Sequence, residues 1–333
     1  MGRQTRAAGA SRHSGNLFPY GYYLLLAVPR LQERKGATHV TLKHMSPANL
    51  ISLNTMRTRL VFALAVISLA TSAAIPLSAQ LAPPNDAGVT MGHVHLNVKN
   101  VEAQTRFWTS IMGGKAVHNE KLAMIEFPGV FLILREMDPS GPPAGSIVDH
   151  FGFVVKDLPA EIAKWTAAGY KVEQTGTNPN QRYVTAPENI RLEVFGDPKL
   201  PVRVQMNHVH FFPPKADIPA MQAWYAKNFG GVVGKRESVA RPGNWIDCDD
   251  LPGVNLSMSP SDTRRAPTAG RGIDHIGFEV KNLDAFVKKL EAQGTKIDEG
   301  PRASNNSKHL KVAFVTDPWG TRIELNEGLA PTH

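Results

Sequence analysis

The chain repeats itself. MGHVHL (91–96) returns as MNHVHF (206–211), and DHFGFVVKDL (149–158) returns as DHIGFEVKNL (274–283) with seven of ten positions identical. Repetition of this kind limits the fold to units that can pair with or pack on copies of themselves. It divides the globular part into two homologous halves, 91–198 and 204–328, with PKLPVR (198–203) between them. Each half divides again. All four units open with a histidine on an alternating strand: HVHLNV, HFGFVV, HVHFF and HIGFEV. A helix-period stretch follows each strand and ends at or near a glycine, as a helix C-cap should. Short strands then close the unit; in the last they read KIDEG, LKVAFVTD and RIELNE. The pattern predicts an α+β fold of four βαβββ modules.

The repeat carries chemistry with it. His93, His150 and Glu193 recur in the same order as His208, His275 and Glu324. Two imidazoles and a carboxylate suffice to hold a divalent cation and leave positions open for a ligand. Taken singly, each glutamate also reads as a solvent-facing residue on an amphipathic strand. Recurrence with two strand-opening histidines in both halves favours metal. Strand residues two apart share a face, so His95 should look where His93 looks, and His210 where His208 looks. Each is a general acid or base beside the metal, or a partner that orients a ligand. Asp149 and Asp274, adjacent to a histidine and hence on the opposite face, read as strand-end caps. Trp108, Trp165, Trp224 and Tyr225 sit at core-like helix positions and read as packing.

The strand-opening histidine, the helix ending in glycine and the closing motifs DPWGTRIELNE (317–327) and APENIRLEVF (186–195) resemble the vicinal oxygen chelate superfamily. Glyoxalase I, extradiol dioxygenases, fosfomycin-resistance proteins and bleomycin-binding proteins belong to it. The resemblance covers about residues 91–328 and implies that modules pair into two cups, each built around one metal. Carried over in chain order, His93, His150 and Glu193 would line one cup, and His208, His275 and Glu324 the other. The positions of the fourth protein ligand of glyoxalase I fall near Ile133 and Ser257, neither a carboxylate. The implied set is therefore the two-histidine, one-glutamate set, with Fe, Mn, Zn or Ni as the divalent metal. Tyr183, ten residues before Glu193, resembles a substrate-assisting tyrosine of extradiol dioxygenases. The histidine that precedes it there is missing, since 174–176 are Gln, Thr and Gly, and a sheet-packing role fits equally. Phe314 takes the matching place in the second half.

The resemblance implies an enzyme of dioxygenase, lyase or isomerase type acting on a small molecule with vicinal oxygens. The alternative is a metal-free sequestering protein of the bleomycin-resistance type. Two cups within one chain mean that a dimer is not required to build a site, so a monomer or a homodimer is expected.

Charge excludes one class of partner. The net charge of +8 comes from residues 1–59, which hold nine Lys or Arg and one Glu, and the rest of the chain is balanced. A balanced globular part has no footprint for nucleic acid. The one cysteine, Cys248, rules out an intramolecular disulfide. Met56 opens a segment with Arg57 and Arg59, an apolar run from Leu60 to Ala70, and small residues to Ala79. It reads as a signal peptide over 56–79 for a periplasmic or secreted protein, too short to remain as a membrane anchor. Residues 1–55 read as a translated upstream region or a disordered or targeting extension, and 80–90 as a linker.

Overall fold

The computed structural model describes residues 81–330. The segments read as an extension (1–55) and an export signal (56–79) lie outside the described residues. Among the described residues no helix is long and apolar enough to cross a membrane.

The four modules are present. The first runs β1 (Val89–Val98), α1 (Val101–Arg106, continued as a π-helix over Phe107–Ile111), β2 (Lys115–Asn119), β3 (Leu122–Phe127) and β4 (Val130–Glu136). The second is β5 (Val148–Val155), α2 (Leu158–Ala167), β6 (Val172–Glu173), β7 (Gln181–Thr185) and β8 (Arg191–Gly196). The third is β9 (Val204–Phe211), α3 (Ile218–Phe229), β10 (Val232–Glu237), β11 (Trp245–Leu251) and β12 (Val254–Met258). The fourth is β13 (Ile273–Val280), α4 (Leu283–Ala292), β14 (Glu299–Ala303), β15 (Lys311–Thr316) and β16 (Arg322–Glu327). In the last module the first closing strand therefore begins three residues later than KIDEG suggests. β1 absorbs Val89 and Thr90 from the expected linker.

Local chemistry sets the helix ends. Asn100, Asp157 and Asn282 each accept a backbone N–H three residues on, capping α1, α2 and α4. Gly230 ends α3 in the left-handed conformation, φ 73°, which costs glycine nothing.

Two eight-stranded sheets result, ordered β14-β15-β16-β13-β1-β4-β3-β2 and β10-β11-β12-β9-β5-β8-β7-β6. The strands that open modules one and four, β1 and β13, pair antiparallel at the centre of the first sheet. Those that open modules two and three, β5 and β9, pair at the centre of the second. This corrects the expectation that modules pair in chain order. Consecutive modules do pack together, but by their apolar convex faces. Trp108 beside α1 stacks on Phe151 of β5 at 5.8 Å, and Phe229 of α3 meets Phe278 of β13 at 4.9 Å. Phe151 alternates with His150 and Gly152, so burying the phenylalanines against the preceding module turns the histidine face away from it. That face must find its partner in the other half. Trp108, Trp165 and Tyr225 are fully buried and Trp224 is partly so, which bears out their reading as packing.

Candidate metal centres

Sheet pairing gathers the chemistry into two clusters. One is His93, His95, His275 and Glu324; the other is His150, Glu193, His208 and His210. In each cluster one nitrogen or carboxylate oxygen from every member lies within 4.8 Å of the rest. The residues expected from sequence are all present, but in different groups. His93 joins His275 and Glu324, not His150 and Glu193, because β1 pairs with β13. His150 and Glu193 are joined by His208 because β5 pairs with β9.

Four β-bulges aim the side chains. The register of β1 against β13 slips at Gly92 and Asp274, and that of β5 against β9 slips at Asp149 and Asn207. Each slip falls on the residue just before a cluster histidine. A bulge breaks strict alternation and allows two successive side chains to project to one side. Asp149 and Asp274 consequently do not cap strand ends. Asp149 Oδ1 lies 3.0 Å from His150 Nδ1, and Asp274 Oδ1 lies 2.5 Å from His275 Nδ1. Asn207 Oδ1 lies 2.9 Å from His208 Nδ1. An Nδ1–H donated to these oxygens fixes the tautomer that leaves Nε2 as a lone pair facing the cup. Glycine at position 92 gives His93 no such partner.

The Nε2 atoms converge on one carboxylate oxygen per cup. Glu324 Oε2 lies 2.8 Å from His275 Nε2 and 3.5 Å from His93 Nε2. Glu193 Oε2 lies 3.4 Å from His150 Nε2 and 3.2 Å from His208 Nε2. The second oxygen of each glutamate is held by an amide: Asn326 Nδ2 donates to Glu324 Oε1 at 2.7 Å, and Gln181 Nε2 to Glu193 Oε1 at 2.9 Å. Glu193 and Glu324 are 4% and 8% exposed, which disposes of the solvent-facing alternative. Both ring nitrogens of His93 and Nε2 of His208 are buried without a properly directed hydrogen bond. Buried polar atoms are rarely left so. A cation bonded to both imidazoles and the carboxylate would satisfy them together, so the residues fit a divalent metal.

Electrostatics agree. Burial favours the neutral acid at Glu193 and Glu324, but the hydrogen bond from His150 or His275 and the close approach of the second imidazole, His208 or His93, outweigh it and hold both carboxyls well below their usual range. Burial likewise lowers His93, and it lowers His208 to about 4. At His150 and His275 burial is overcome by hydrogen bonds to an aspartate and a glutamate, and both lie above the ordinary value. Each cup thus offers a carboxylate beside imidazoles whose protons a metal would displace.

His95 and His210 stand directly across from His275 and His150 in the sheet. The ring centroids are 4.4 and 4.8 Å apart. His210 Nε2 also lies 2.8 Å from Ser259 Oγ. Tyr183 presents an edge contact with His150 at 5.4 Å and lies beneath the Arg191 guanidinium at 3.5 Å. Burial and the charge of Glu193 push its phenol upward, so it stays protonated. Phe314 occupies the same register position against Glu324 that Tyr183 occupies against Glu193.

A family model described as the glyoxalase/bleomycin resistance protein/dioxygenase superfamily matches residues 90–199 and again 206–325. The chain belongs to that superfamily. Among solved structures it is similar to glyoxalase I from Zea mays, at 16% identity and a TM-score of 0.54 over 72% of this chain and 92% of that one. It is also similar to a putative dioxygenase from Bacillus subtilis subsp. subtilis strain 168, at 13% identity and a TM-score of 0.53, over 73% and 86%. At such identities the likeness speaks for the fold. No curated protein matches the chain.

Proposed function

We propose that this superfamily member is a metal-dependent enzyme acting on a small molecule with vicinal oxygens, by dioxygenase, lyase or isomerase chemistry. The supporting observation is the duplicated set of two imidazoles and a carboxylate with buried nitrogens left unsatisfied. His93, His275 and Glu324 would hold one cation and His150, Glu193 and His208 the other, with Fe, Mn, Zn or Ni suited to the donors. When bound, such a cation supplies Lewis acidity to chelated substrate oxygens. The chain's own groups do the rest. Asp149, Asp274 and Asn207 orient the imidazoles, while Gln181 and Asn326 fix the carboxylates. His95 and His210, neutral because burial strongly disfavours their charge, can accept or return a proton at the substrate. Tyr183 offers a phenolic O–H in the second cup only. The sequence of Met56–Ala79 supports export to the periplasm or medium, and the balanced charge supports a small-molecule rather than a nucleic-acid partner.

Metal per chain decides the matter, measured by plasma mass spectrometry on residues 80–333. Two metals are expected, with one remaining in Glu193→Ala or Glu324→Ala and none in the double variant. His93→Ala combined with Glu324→Ala should keep one metal, whereas His93→Ala with Glu193→Ala should keep none. No metal after reconstitution with Fe(II), Mn(II), Zn(II) and Ni(II) would overturn the enzyme reading and leave small-molecule sequestration.

A further inference from the structure

The two cups share a ligand set and differ in their walls. Strand register makes the comparison residue by residue. Beside His93 and His95 on β4 stand Phe131 and Ile133; beside His208 and His210 on β12 stand Asn255 and Ser257. One strand further out, Met124 faces Ile133, whereas Cys248 faces Ser257. On the outermost strand, Asn119 pairs with Leu122, and Arg236 takes the equivalent place against Ile246. Phe131, Ile133, Met124 and Asn119 of the first cup are thus replaced in the second by Asn255, Ser257, Cys248 and Arg236, while Leu122 and Ile246 are both apolar and Glu126 and Asp250, which pair with Phe131 and Asn255, are both acidic.

The outermost position is used differently as well. Asn119 Nδ2 donates to the carbonyls of Gly328 and Leu329 at 2.9 and 3.1 Å. This fastens the C-terminal segment so that Leu329, fully buried, joins Met124, Phe131 and Phe314 in an apolar cluster. Arg236 fastens nothing of the kind. Of its five donors one makes a hydrogen bond, from Nη1 to Asn207 Oδ1 at 3.2 Å. Among the described residues no carboxylate lies within 4.0 Å of it. Asp250, on the same face of the neighbouring strand, accepts from Asn255 at 2.7 Å. Burial disfavours the charge of Arg236, and its field reaches Glu193, His208 and His210. A half-buried guanidinium beside a metal-ligating face, with donors beyond the one that Asn207 takes, is placed to pair with an anionic group of a ligand.

We infer that the second cup takes a ligand carrying a carboxylate or another anionic group beside its metal-binding oxygens, with Arg236 as the residue that selects it, while the first cup takes an uncharged, apolar one. The inference rests on metal binding as proposed above. It makes the protein a pair of sites with different ligands rather than two copies of one site.

The test uses catechol and protocatechuate, which is catechol with one added carboxylate, titrated against Co(II)-loaded protein and read by visible absorption. Glu324→Ala leaves metal in the second cup alone, and Glu193→Ala leaves it in the first alone. In Glu324→Ala protein, protocatechuate should bind roughly tenfold or more tightly than catechol, the scale of a charge-assisted pair. In Glu193→Ala protein the preference should vanish or reverse. Adding Arg236→Gln to Glu324→Ala should abolish the preference with Co(II) content unchanged, and Arg236→Lys should restore part of it. Equal affinities in metal-loaded Glu324→Ala protein would overturn this inference alone. Failure of the parent chain to bind Co(II) would overturn the metal reading and this one with it. If Arg236→Gln does not fold, the comparison between the two cups still decides.

Discussion

Gly152 and Gly277 set how closely an imidazole approaches its partner strand. A methyl group on Gly277 would overlap the ring of His93, and one on Gly152 the ring of His208. Gly152→Ala and Gly277→Ala are each expected to lose one metal per chain and about 1–3 kcal/mol of stability, read by mass spectrometry and denaturant unfolding. The HFGF and HIGF motifs contained this information, but a glycine two residues after a histidine has meaning only once the crossing strand is known. The six ligands were legible because they recur. Gln181 and Asn326 were not, since one lies on β7 and the other on β16, and no repeat links them. A buried group outside the cups gives a second prediction. Asp249 is fully buried, neither oxygen has a hydrogen-bond partner, and burial pushes its carboxyl up to about 7. Its unfolded value is about 4, so between those values the folded state holds a proton that the unfolded chain releases, and stability falls as pH rises through that window. Asp249→Asn should remove this slope. Melting curves should show the variant gaining on the parent at about pH 8.5 and matching it near pH 4.

At the scale of elements, α1 is fixed by a residue from another module. Both carboxylate oxygens of Glu188 accept backbone N–H groups at the start of the helix, from Lys99 at 2.7 Å and Asn100 at 3.1 Å. Glu188 does so from a left-handed backbone, φ 61°. The other half uses a different device: Tyr225 of α3 donates to Asp317 of the DPWGT turn at 2.9 Å. Both join the helix of one module to the closing turn of the next. Glu188→Ala should cost about 1 kcal/mol, the usual value of a lost cap, with metal content unchanged. Hydrogen exchange should localise the change to residues 99–106. The strands and helices themselves were readable from periodicity and glycine placement. The bulges were not, because one inserted residue leaves no compositional trace. The expectation that Asp149 and Asp274 point away from their histidines failed for that reason alone.

At the scale of the whole molecule, the sequence showed four modules but not which of them pair. Every opening strand has a similar apolar face and a similar histidine face, so local patterning permits modules one and two to pair as readily as one and four. Packing of Phe151 and Phe153 behind α1 resolves it, and that contact belongs to tertiary structure. A fragment of residues 81–203 makes the point testable. It holds His93 and His95 on one sheet and His150 and Glu193 on another, so as a monomer it should bind no metal in sizing chromatography followed by metal analysis. Mixing it with 204–333 should restore two metals per pair.

The antiparallel partnership of β1 with β13 also imposes an order of assembly on a chain that is made from one end. The second cup can close once β12 has emerged, because its central strands flank the short connection at 198–203. β1 must wait for residues 273–280, and until then its long apolar edge lacks its central partner. Exposed edges of that kind recruit the wrong partners. The vulnerable stage in the life of this protein is therefore the interval in which its first strand exists and its last module does not.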